Sequence, residues 1–154
     1  TGRSSPGVPV QRIQPGRTHV RPGTSIPVLR LNDRFDNAPI SHLIGMEVEP
    51  ETQTGQAVVH LPLSQHLQNP MGRVHGGVYA VLADAAMGIA FGRTLNDGQD
   101  FATLDLHVHF IRAARGQRIT ARAEVRQRGL RVGFMQCDIY DDRERLLATS
   151  TCCC

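Results

Sequence analysis

The sequence predicts an α+β fold in which a curved antiparallel sheet wraps around one long central helix. The segment from Gly76 to Leu95 is apolar on nearly every side, and a helix of that kind must be surrounded by other elements. Strictly alternating apolar and polar residues follow it, which is the pattern of strands with one buried face. Turn-forming residues separate these strands, so a sheet folded around the helix is the simplest arrangement.

Two strands are predicted before the helix. The first is SHLIGMEVE, residues 41–49, and the second is TGQAVVHLPL, residues 54–63. Pro50 and Gly55 lie between them, and both residue types favour a turn. A loop rich in Asn, Pro and Gly then leads to the helix.

The helix is predicted from Gly76 to Leu95. Its apolar residues recur at helical spacing, as in Val78, Leu82, Ala85 and Ile89. At 1.5 Å per residue such a helix would be about 30 Å long. The polar stretch NDGQD then ends it.

Four further strands are predicted after the helix, in antiparallel succession. They are residues 101–111, 118–125, 132–141 and 145–151. In the first, Leu104, Leu106, Val108 and Phe110 alternate with Thr103, Asp105, His107 and His109. Hairpin turns are expected at Arg128 to Gly129 and at Asp141 to Asp142.

The chain divides by composition into an arm and one domain. Residues 1–34 contain six arginines, one aspartate and five prolines, but few large apolar residues, so we expect a disordered, solvated arm. Residues 35–154 then carry 11 arginines against 13 acids and form a single domain. A basic arm could touch nucleic acid or an anionic membrane, but the folded part is not basic, and we expect neither partner.

Cysteine, histidine and hydropathy patterns argue against several classes of protein. Cys137 stands alone and Cys152 to Cys154 are consecutive, so we expect no disulfide framework and an exposed, oxidation-prone tail. His107 and His109 have a spacing found in metal sites, but further ligands are not evident, and a polar sheet face at an oligomer contact explains them as well. We therefore expect no metal. With no apolar run of about 18 residues and no export signal, we expect a cytoplasmic protein.

Asp84 lies in the middle of the apolar helix and is the strongest candidate for a functional residue. Its neighbours on the same helix face are Ala80, Val81, Met87 and Gly88, none of which can neutralise a carboxylate. Burying an unpaired carboxylate costs several kcal/mol. Asp84 is therefore either a structural acid paired with another element or a group kept for its chemistry.

The loop before the helix supplies complementary groups. It contains an amide at Asn69, an imidazole at His75 and a glycine pair, Gly76 and Gly77. The free N–H groups and the dipole of a helix N-terminus form an oxyanion site, and glycines there leave room for a ligand. A carbonyl held at this point could be attacked with help from a carboxylate on a second copy of the helix or on a neighbouring element.

These residues resemble a known family. The stretch NPMGRVHGG followed by LADAAMG, then TLDLHVHFIRAA and LLATST, is similar to the PaaI-like, phenylacetate-pathway branch of the hotdog-fold acyl-CoA thioesterases. The resemblance covers roughly residues 35–151. The nine-residue loop motif is fairly specific within hotdog proteins, whereas HGG alone would be weak.

The resemblance implies a hotdog fold and hydrolysis of an acyl-CoA to a free acid and CoA. By position, Asp84 matches the general base or nucleophile, and Asn69 matches the amide that positions water or the thioester. The Gly76 N–H matches the oxyanion donor, His75 the histidine whose hydrogen bonds shape the loop, and Thr103 a hydroxyl that holds the attacking water. One base and one oxyanion site suffice for a thioester, so no cofactor is expected beyond the CoA of the substrate.

The resemblance also implies an assembly. In such proteins Asp84 of one chain faces Asn69, His75 and Gly76 of another, so we expect a homodimer that doubles into a homotetramer. Gly77 is expected to leave room for substrate. Met71 and Met87 either pack or line the acyl pocket.

Each candidate residue also has a structural interpretation. Asn69 is a common turn residue before proline, His75 can serve only to fix the loop, Gly76 and Gly77 can simply begin the helix, and Thr103 is a good strand former. The chain could also be a non-catalytic acyl-CoA sensor, although Asp84 argues against this because binding alone gains nothing from a buried base. A hydratase on this fold would need a histidine and acid motif that the sequence lacks.

Overall fold

The structure is a computed structural model, and it describes residues 38–154. The predicted arm, residues 1–34, lies outside the described residues. The helices are α1, Pro39–Ile44, and α2, Gly76–Gly92, with a short 3₁₀ turn at Gln65–Leu67. The strands are β1 Glu47–Val48, β2 Gln56–Pro62, β3 Asp105–Phe110, β4 Arg118–Arg128, β5 Gly133–Asp141 and β6 Leu146–Cys153.

The six strands form one antiparallel sheet in the order β1-β2-β4-β5-β6-β3. The predicted α+β architecture and both predicted hairpins, β4 to β5 and β5 to β6, are confirmed. The antiparallel succession of the last four strands is wrong at its first member, because β3 pairs with β6 and not with β4. One edge of β4 is already occupied by β2, so β3 can join only at the far edge of the sheet.

The core lies between α2 and the sheet. Leu82, Ala86 and Met87 on the helix have no exposed surface, and β4 and β5 face them with Ile119, Ala121, Met135 and Ile139, also without exposed surface. Fully burying a Leu, Ile or Met side chain contributes about 1.5–3 kcal/mol, so this layer holds the helix firmly against the strands. The observed fold therefore explains why α2 is apolar on so many sides.

The predicted first strand is largely wrong. Residues 39–44 form helix α1, and only Glu47 and Val48 of that segment are extended. Pro39 occupies the first turn, where its missing N–H costs nothing, and Gly45 ends the helix with a φ of +78°. These two end signals outweigh the strand preference of the apolar residues between them.

Helix α2 ends at Gly92, three residues before the predicted end, and at 17 residues it is about 25 Å long. The Arg93 guanidinium donates to the carbonyl oxygens of Gln56, at 2.6 Å, and Glu49, at 2.9 Å. The Thr94 hydroxyl donates to the Phe91 carbonyl at 2.6 Å. Contacts with the β1–β2 region therefore end the helix before the polar stretch is reached.

The predicted exposed cysteine tail is also wrong. Cys152 lies in β6, between β5 and β3, and both Cys152 and Cys154 are buried. Cys137 is buried in β5, and all four cysteines are free. Burial raises the pKa of the Cys137 thiol to about 12, and burial also raises the pKa of Cys152, Cys153 and Cys154. These sulfurs are therefore protonated thiols at neutral pH and poor nucleophiles.

Two structural features are absent from residues 38–154. Within this range no helix is long and apolar enough to cross a membrane. The same residues contain no group of three or more His, Cys, Asp or Glu side chains that could hold a metal ion. His107 and His109 are exposed on β3.

Candidate active site

The loop before α2 is held in one shape by its own hydrogen bonds. The Asn69 side-chain oxygen accepts from the N–H groups of Met71, at 3.0 Å, and Arg73, at 3.1 Å. Gly72 turns the chain with a φ of +69°, a conformation that favours glycine. The His75 N–H then donates to the Leu67 carbonyl at 2.8 Å. Asn69 thus has a structural role in this loop, and only its amide NH₂ remains for a ligand.

His75 is the N-cap of α2. Its Nδ1 accepts from the Gly77 N–H at 2.9 Å, and its carbonyl accepts from the Val78 N–H at 2.9 Å. Because Nδ1 is an acceptor, the proton of a neutral ring is on Nε2. A side chain at Gly77 would place its Cβ 3.1 Å from Nδ1, so a larger residue here would require the imidazole to move by a few tenths of an ångström.

The Gly76 N–H is left as the available donor of the first helical turn. Within residues 38–154, the hydrogen bonds include no acceptor for it. The first N–H groups of a helix have no partner inside the helix and carry its positive dipole end. This N–H therefore suits a developing negative charge on a carbonyl oxygen.

Asp84 lies two turns further along α2 and is half-buried. Its Oδ1 accepts from the Thr103 hydroxyl at 2.8 Å, so the acid does have a partner in its own chain, but that partner is neutral. Among the described residues no cation forms an ion pair with Asp84. A carboxylate held by one hydroxyl keeps its second oxygen for a water molecule or a substrate.

Thr103 lies just before β3 and not within it. Besides its bond to Asp84, its Oγ1 is 3.9 Å from the Cys154 sulfur. The structure therefore brings Asp84, Thr103 and the end of β6 together. The role of Thr103 goes beyond strand propensity, because its hydroxyl fixes the orientation of the Asp84 carboxylate.

Asp84 and Gly76 of one chain cannot act on the same carbonyl. They are eight residues apart on one helix, which is about 12 Å along its axis. A base and an oxyanion donor must each lie within about 3 Å of the groups they serve at the reacting centre. The two candidate halves of a site therefore lie at separate points on α2.

Strand β3 connects these two halves along an open edge of the sheet. It begins after Thr103, beside Asp84, and it ends at Phe110. A Cβ added to Gly76 would lie 3.4 Å from the Phe110 ring, so this ring covers the helix start. Sequence reasoning missed Phe110 as a site residue, although its place on the apolar side of the alternating strand was a usable signal.

The remaining candidates lie in different environments. Met71 is 72% exposed on the loop, whereas Met87 has no exposed surface and packs in the core. Gly77 is exposed beside His75. Met87 therefore offers a ligand no surface in the single chain.

Comparison with known proteins places this arrangement in a family. A family model described as the thioesterase superfamily matches residues 71–148. The chain belongs to the thioesterase superfamily. The matched residues include the helix start, Asp84, Thr103 and all of β3.

Individual relatives agree with this membership. A 1,4-dihydroxy-2-naphthoyl-CoA hydrolase of Listeria monocytogenes is 28% identical over 113 residues, which cover 73% of this chain and 91% of that protein. A crystal structure of a thioesterase family protein from Silicibacter pomeroyi superposes with a TM-score of 0.74 at 25% identity, covering 80% of this chain and 92% of that one.

The PaaI protein from the phenylacetic acid degradation operon of Escherichia coli shares the fold, with a TM-score of 0.72 at 22% identity over 79% of this chain and 86% of that one. The chain is therefore a hotdog-fold thioester hydrolase of the thioesterase superfamily.

Proposed function

We propose that this thioesterase hydrolyses an acyl-CoA to a free acid and CoA, with Asp84 as general base on water or as nucleophile. The observation that carries the proposal is the half-buried Asp84 carboxylate, which is held by the Thr103 hydroxyl and by no cation within the described residues. The single hydrogen bond from Thr103 leaves the second oxygen of this carboxylate open to a water molecule or a substrate. A general base needs an oxygen that is free to accept the proton of a water molecule.

In the general-base form of the reaction, Asp84 removes a proton from a water molecule while the oxygen of that water attacks the thioester carbonyl. The carbonyl electrons move onto oxygen, where the Gly76 N–H stabilises the negative charge. When the carbonyl re-forms, the carbon–sulfur bond breaks and the CoA thiolate leaves with the electron pair. The proton held by Asp84 is then released or passed to the thiolate.

The proposed active unit is a homodimer that pairs the two free β3 edges, and two such dimers form a tetramer. An antiparallel pairing of β3 with its own copy sets the Thr103 end of one strand beside the Phe110 end of the other. The Asp84 half of one chain would then lie near the Gly76 half of its partner. The roughly 12 Å between Asp84 and Gly76 of one chain is then no obstacle, because each site combines Asp84 of one chain with Gly76 of the other.

The exposed apolar side chains near β3 support this pairing. Leu104 is 66% exposed, Phe110 60% and Ile111 53%, and β3 is an edge strand with unpaired backbone groups on its outer side. Soluble proteins usually cover or blunt such an edge. A second copy of the same strand would cover both the backbone groups and the apolar side chains.

Complementation between two inactive variants tests the shared site. Asp84→Asn removes the base, and Gly76→Pro removes the N–H at a helix position that tolerates proline. Each variant alone should lose at least about 100-fold in kcat. Co-expression should restore about a quarter of wild-type turnover, since half of the dimers are mixed and one of their two sites is intact.

The control for this test is Gly76→Ala, which keeps the N–H and adds a Cβ at ordinary contact distance from Phe110. It should retain most of the turnover. Absence of any recovery in the mixed preparation, with both variants folded and dimeric, would contradict the shared site. A fully active monomer in light scattering would contradict the dimer as well.

A further inference from the structure

A cavity lies beside the C-terminal half of α2. It has a volume of about 210 Å³, and its apolar lining comes from the helix, the segment before β3 and the β4–β5 turn. These lining residues are Phe91, Leu95, Phe101, Ala102, Leu104 and Leu130. The Phe91 and Phe101 rings meet edge to face with centroids 5.4 Å apart. Since an apolar cavity of about 150 Å³ can hold benzene, this one has room for a single ring with a small substituent.

The cavity adjoins the proposed reaction centre. Ala102 and Leu104, which line it, flank Thr103, whose hydroxyl donates to Asp84. Cys154 also lines it and lies 3.9 Å from the Thr103 oxygen. Phe91 is seven residues beyond Asp84, or about 10 Å along the helix. The Phe101 ring lies 3.5 Å from the Cβ position of Gly88, one turn beyond Asp84, so a group attached to a carbonyl at Asp84 would meet this ring at the edge of the cavity.

The cavity wall carries a guanidinium that has no carboxylate partner in the described chain. Arg128 lies over the Phe91 ring, 5.9 Å from its centroid. Its Nε donates to the Thr94 hydroxyl at 2.9 Å and its Nη2 to the Gln99 side-chain oxygen at 3.4 Å. Both acceptors are neutral, and no ion pair within residues 38–154 includes Arg128. The side chain is thus held in place with its charge still available.

Other charged groups at the cavity are Arg131 and Asp100. Asp100 accepts a hydrogen bond from the Phe101 N–H at 2.9 Å. The described residues therefore contribute two guanidinium groups and one carboxylate to the lining, next to two aromatic rings.

We propose that this cavity binds the acyl group of the substrate, and that the preferred acyl group is a single aromatic ring ending in a carboxylate that Arg128 binds. The proposal rests on the acyl-CoA hydrolase function proposed above. The ring would lie against Phe91 and Phe101, and the terminal carboxylate would accept charge-assisted hydrogen bonds from the guanidinium. An acyl ring without that carboxylate would displace water from Arg128 and leave the guanidinium without an acceptor. Such an acyl group should therefore bind more weakly.

The test compares benzoyl-CoA with 4-carboxybenzoyl-CoA as substrates of the full chain. The wild-type kcat/KM should be at least about tenfold higher for 4-carboxybenzoyl-CoA, the size expected of one charge-assisted hydrogen bond. Arg128→Gln should abolish most of this preference by raising KM for 4-carboxybenzoyl-CoA far more than KM for benzoyl-CoA. Melting temperatures should be measured for every variant.

The matched control is Arg126→Gln, two residues earlier on β4, where the arginine pairs with Glu124 on the surface. It should leave the substrate preference unchanged. If Arg128→Gln does not fold, Arg128→Lys decides, because lysine keeps the charge but loses the planar fork and should lower the preference at least about threefold. A wild-type preference near one, or a preference that Arg128 variants leave unchanged, overturns the proposal.

Failure of this inference differs from failure of the proposed function. Hydrolysis of benzoyl-CoA without preference for the carboxylate would reject only the role of Arg128. If neither thioester is hydrolysed, the proposed function fails, and equilibrium binding of the same two thioesters by calorimetry then tests the cavity alone. Equal dissociation constants for both would reject the cavity as a site for an anionic aryl group.

Discussion

Replacing Asp84 by Asn separates a catalytic acid from a structural one. The two side chains have the same shape, and the Asn oxygen can still accept from the Thr103 hydroxyl, which lies 2.8 Å from Asp84 in the structure. The substitution removes only the negative charge and the ability to take a proton. General acid–base catalysis contributes about 10²- to 10⁴-fold, so kcat should fall by that factor, equivalent to about 3–5 kcal/mol of activation free energy.

The expected effect on stability is small. Within residues 38–154 no cation pairs with Asp84, so the substitution leaves no buried positive charge without a partner. The hydrogen bond from Thr103 is also retained. The free energy of unfolding should change by less than about 1 kcal/mol. The melting temperature should therefore stay within a few degrees of wild type or rise slightly.

The assay measures CoA release from short, medium and aromatic acyl-CoA substrates with a thiol reagent, and melting in the same buffer. Asp142→Asn is the matched control, since its Oδ2 accepts from the backbone N–H groups of Gln117, at 2.7 Å, and Arg118, at 3.3 Å. This carboxylate lies in the β5–β6 turn and binds the backbone at the start of β4, so its replacement should leave kcat within about twofold.

The opposite pattern would identify Asp84 as a structural acid. A structural acid would lose about 3–5 kcal/mol of stability on replacement, so Asp84→Asn would melt at a much lower temperature and turn over normally. Unchanged kcat on every acyl-CoA tested would leave a binding module on this fold as the better description.

Three other predictions follow from the structure. Asn69→Ala should lower both the melting temperature and kcat. Asn69→Asp keeps the oxygen that accepts from the Met71 and Arg73 N–H groups, so it should lower kcat but leave the melting temperature unchanged. Equal melting temperatures for the two variants would contradict this structural role of Asn69. The Arg145 guanidinium lowers the pKa of Asp141 to about 2, so this group stabilises the fold above its unfolded pKa of about 4. That stabilisation is lost as pH falls from about 4 to 2. Asp141→Asn should therefore lower the melting temperature at pH 7 by about 5 °C or more, and the difference should shrink towards pH 2; a constant difference would exclude the ion pair as its cause. Cys137, Cys152 and Cys154 are buried, so a thiol reagent should modify at most the half-exposed Cys153 in the native protein. After unfolding it should modify all four thiols. Rapid modification of three thiols in the native protein would contradict the described position of β6.

The parts of the fold that the sequence predicts well are those with a long, regular pattern. Helix α2 and strands β2, β4, β5 and β6 each bury one continuous apolar face, and their periodicity is visible without knowledge of their neighbours. The hairpins followed from local turn residues. The predictions failed for α1, where six residues are too few to establish a period.

The position of β3 could not be read from the sequence, because pairing with β6 joins residues about forty positions apart and no local pattern encodes it. The cysteine run was misjudged for a related reason. Three consecutive cysteines look like a tail, but the buried ones alternate with a half-exposed one as residues of a strand do.

For the site, the sequence indicated Asp84 and the loop through a chemical conflict, an acid among apolar residues beside a glycine-rich helix start. It could not indicate that Thr103 donates to Asp84, because that contact depends on how the segment before β3 packs on α2. Nor could it assign Arg128 to a cavity wall, since one of several arginines near the exposed end of a strand resembles any surface charge.

Helix α2 fixes the spacing between Gly76 and Asp84 in a way that no loop could. One inserted residue would shift Asp84 by about 1.5 Å and rotate it by about 100° around the helix axis, turning the carboxylate away from Thr103 and into the sheet or solvent. An insertion after α2 leaves this spacing unchanged, whereas an insertion in the first half of α2 does not. Across related genes, the number of codons between the loop glycines and this acid should be the least variable length in the domain.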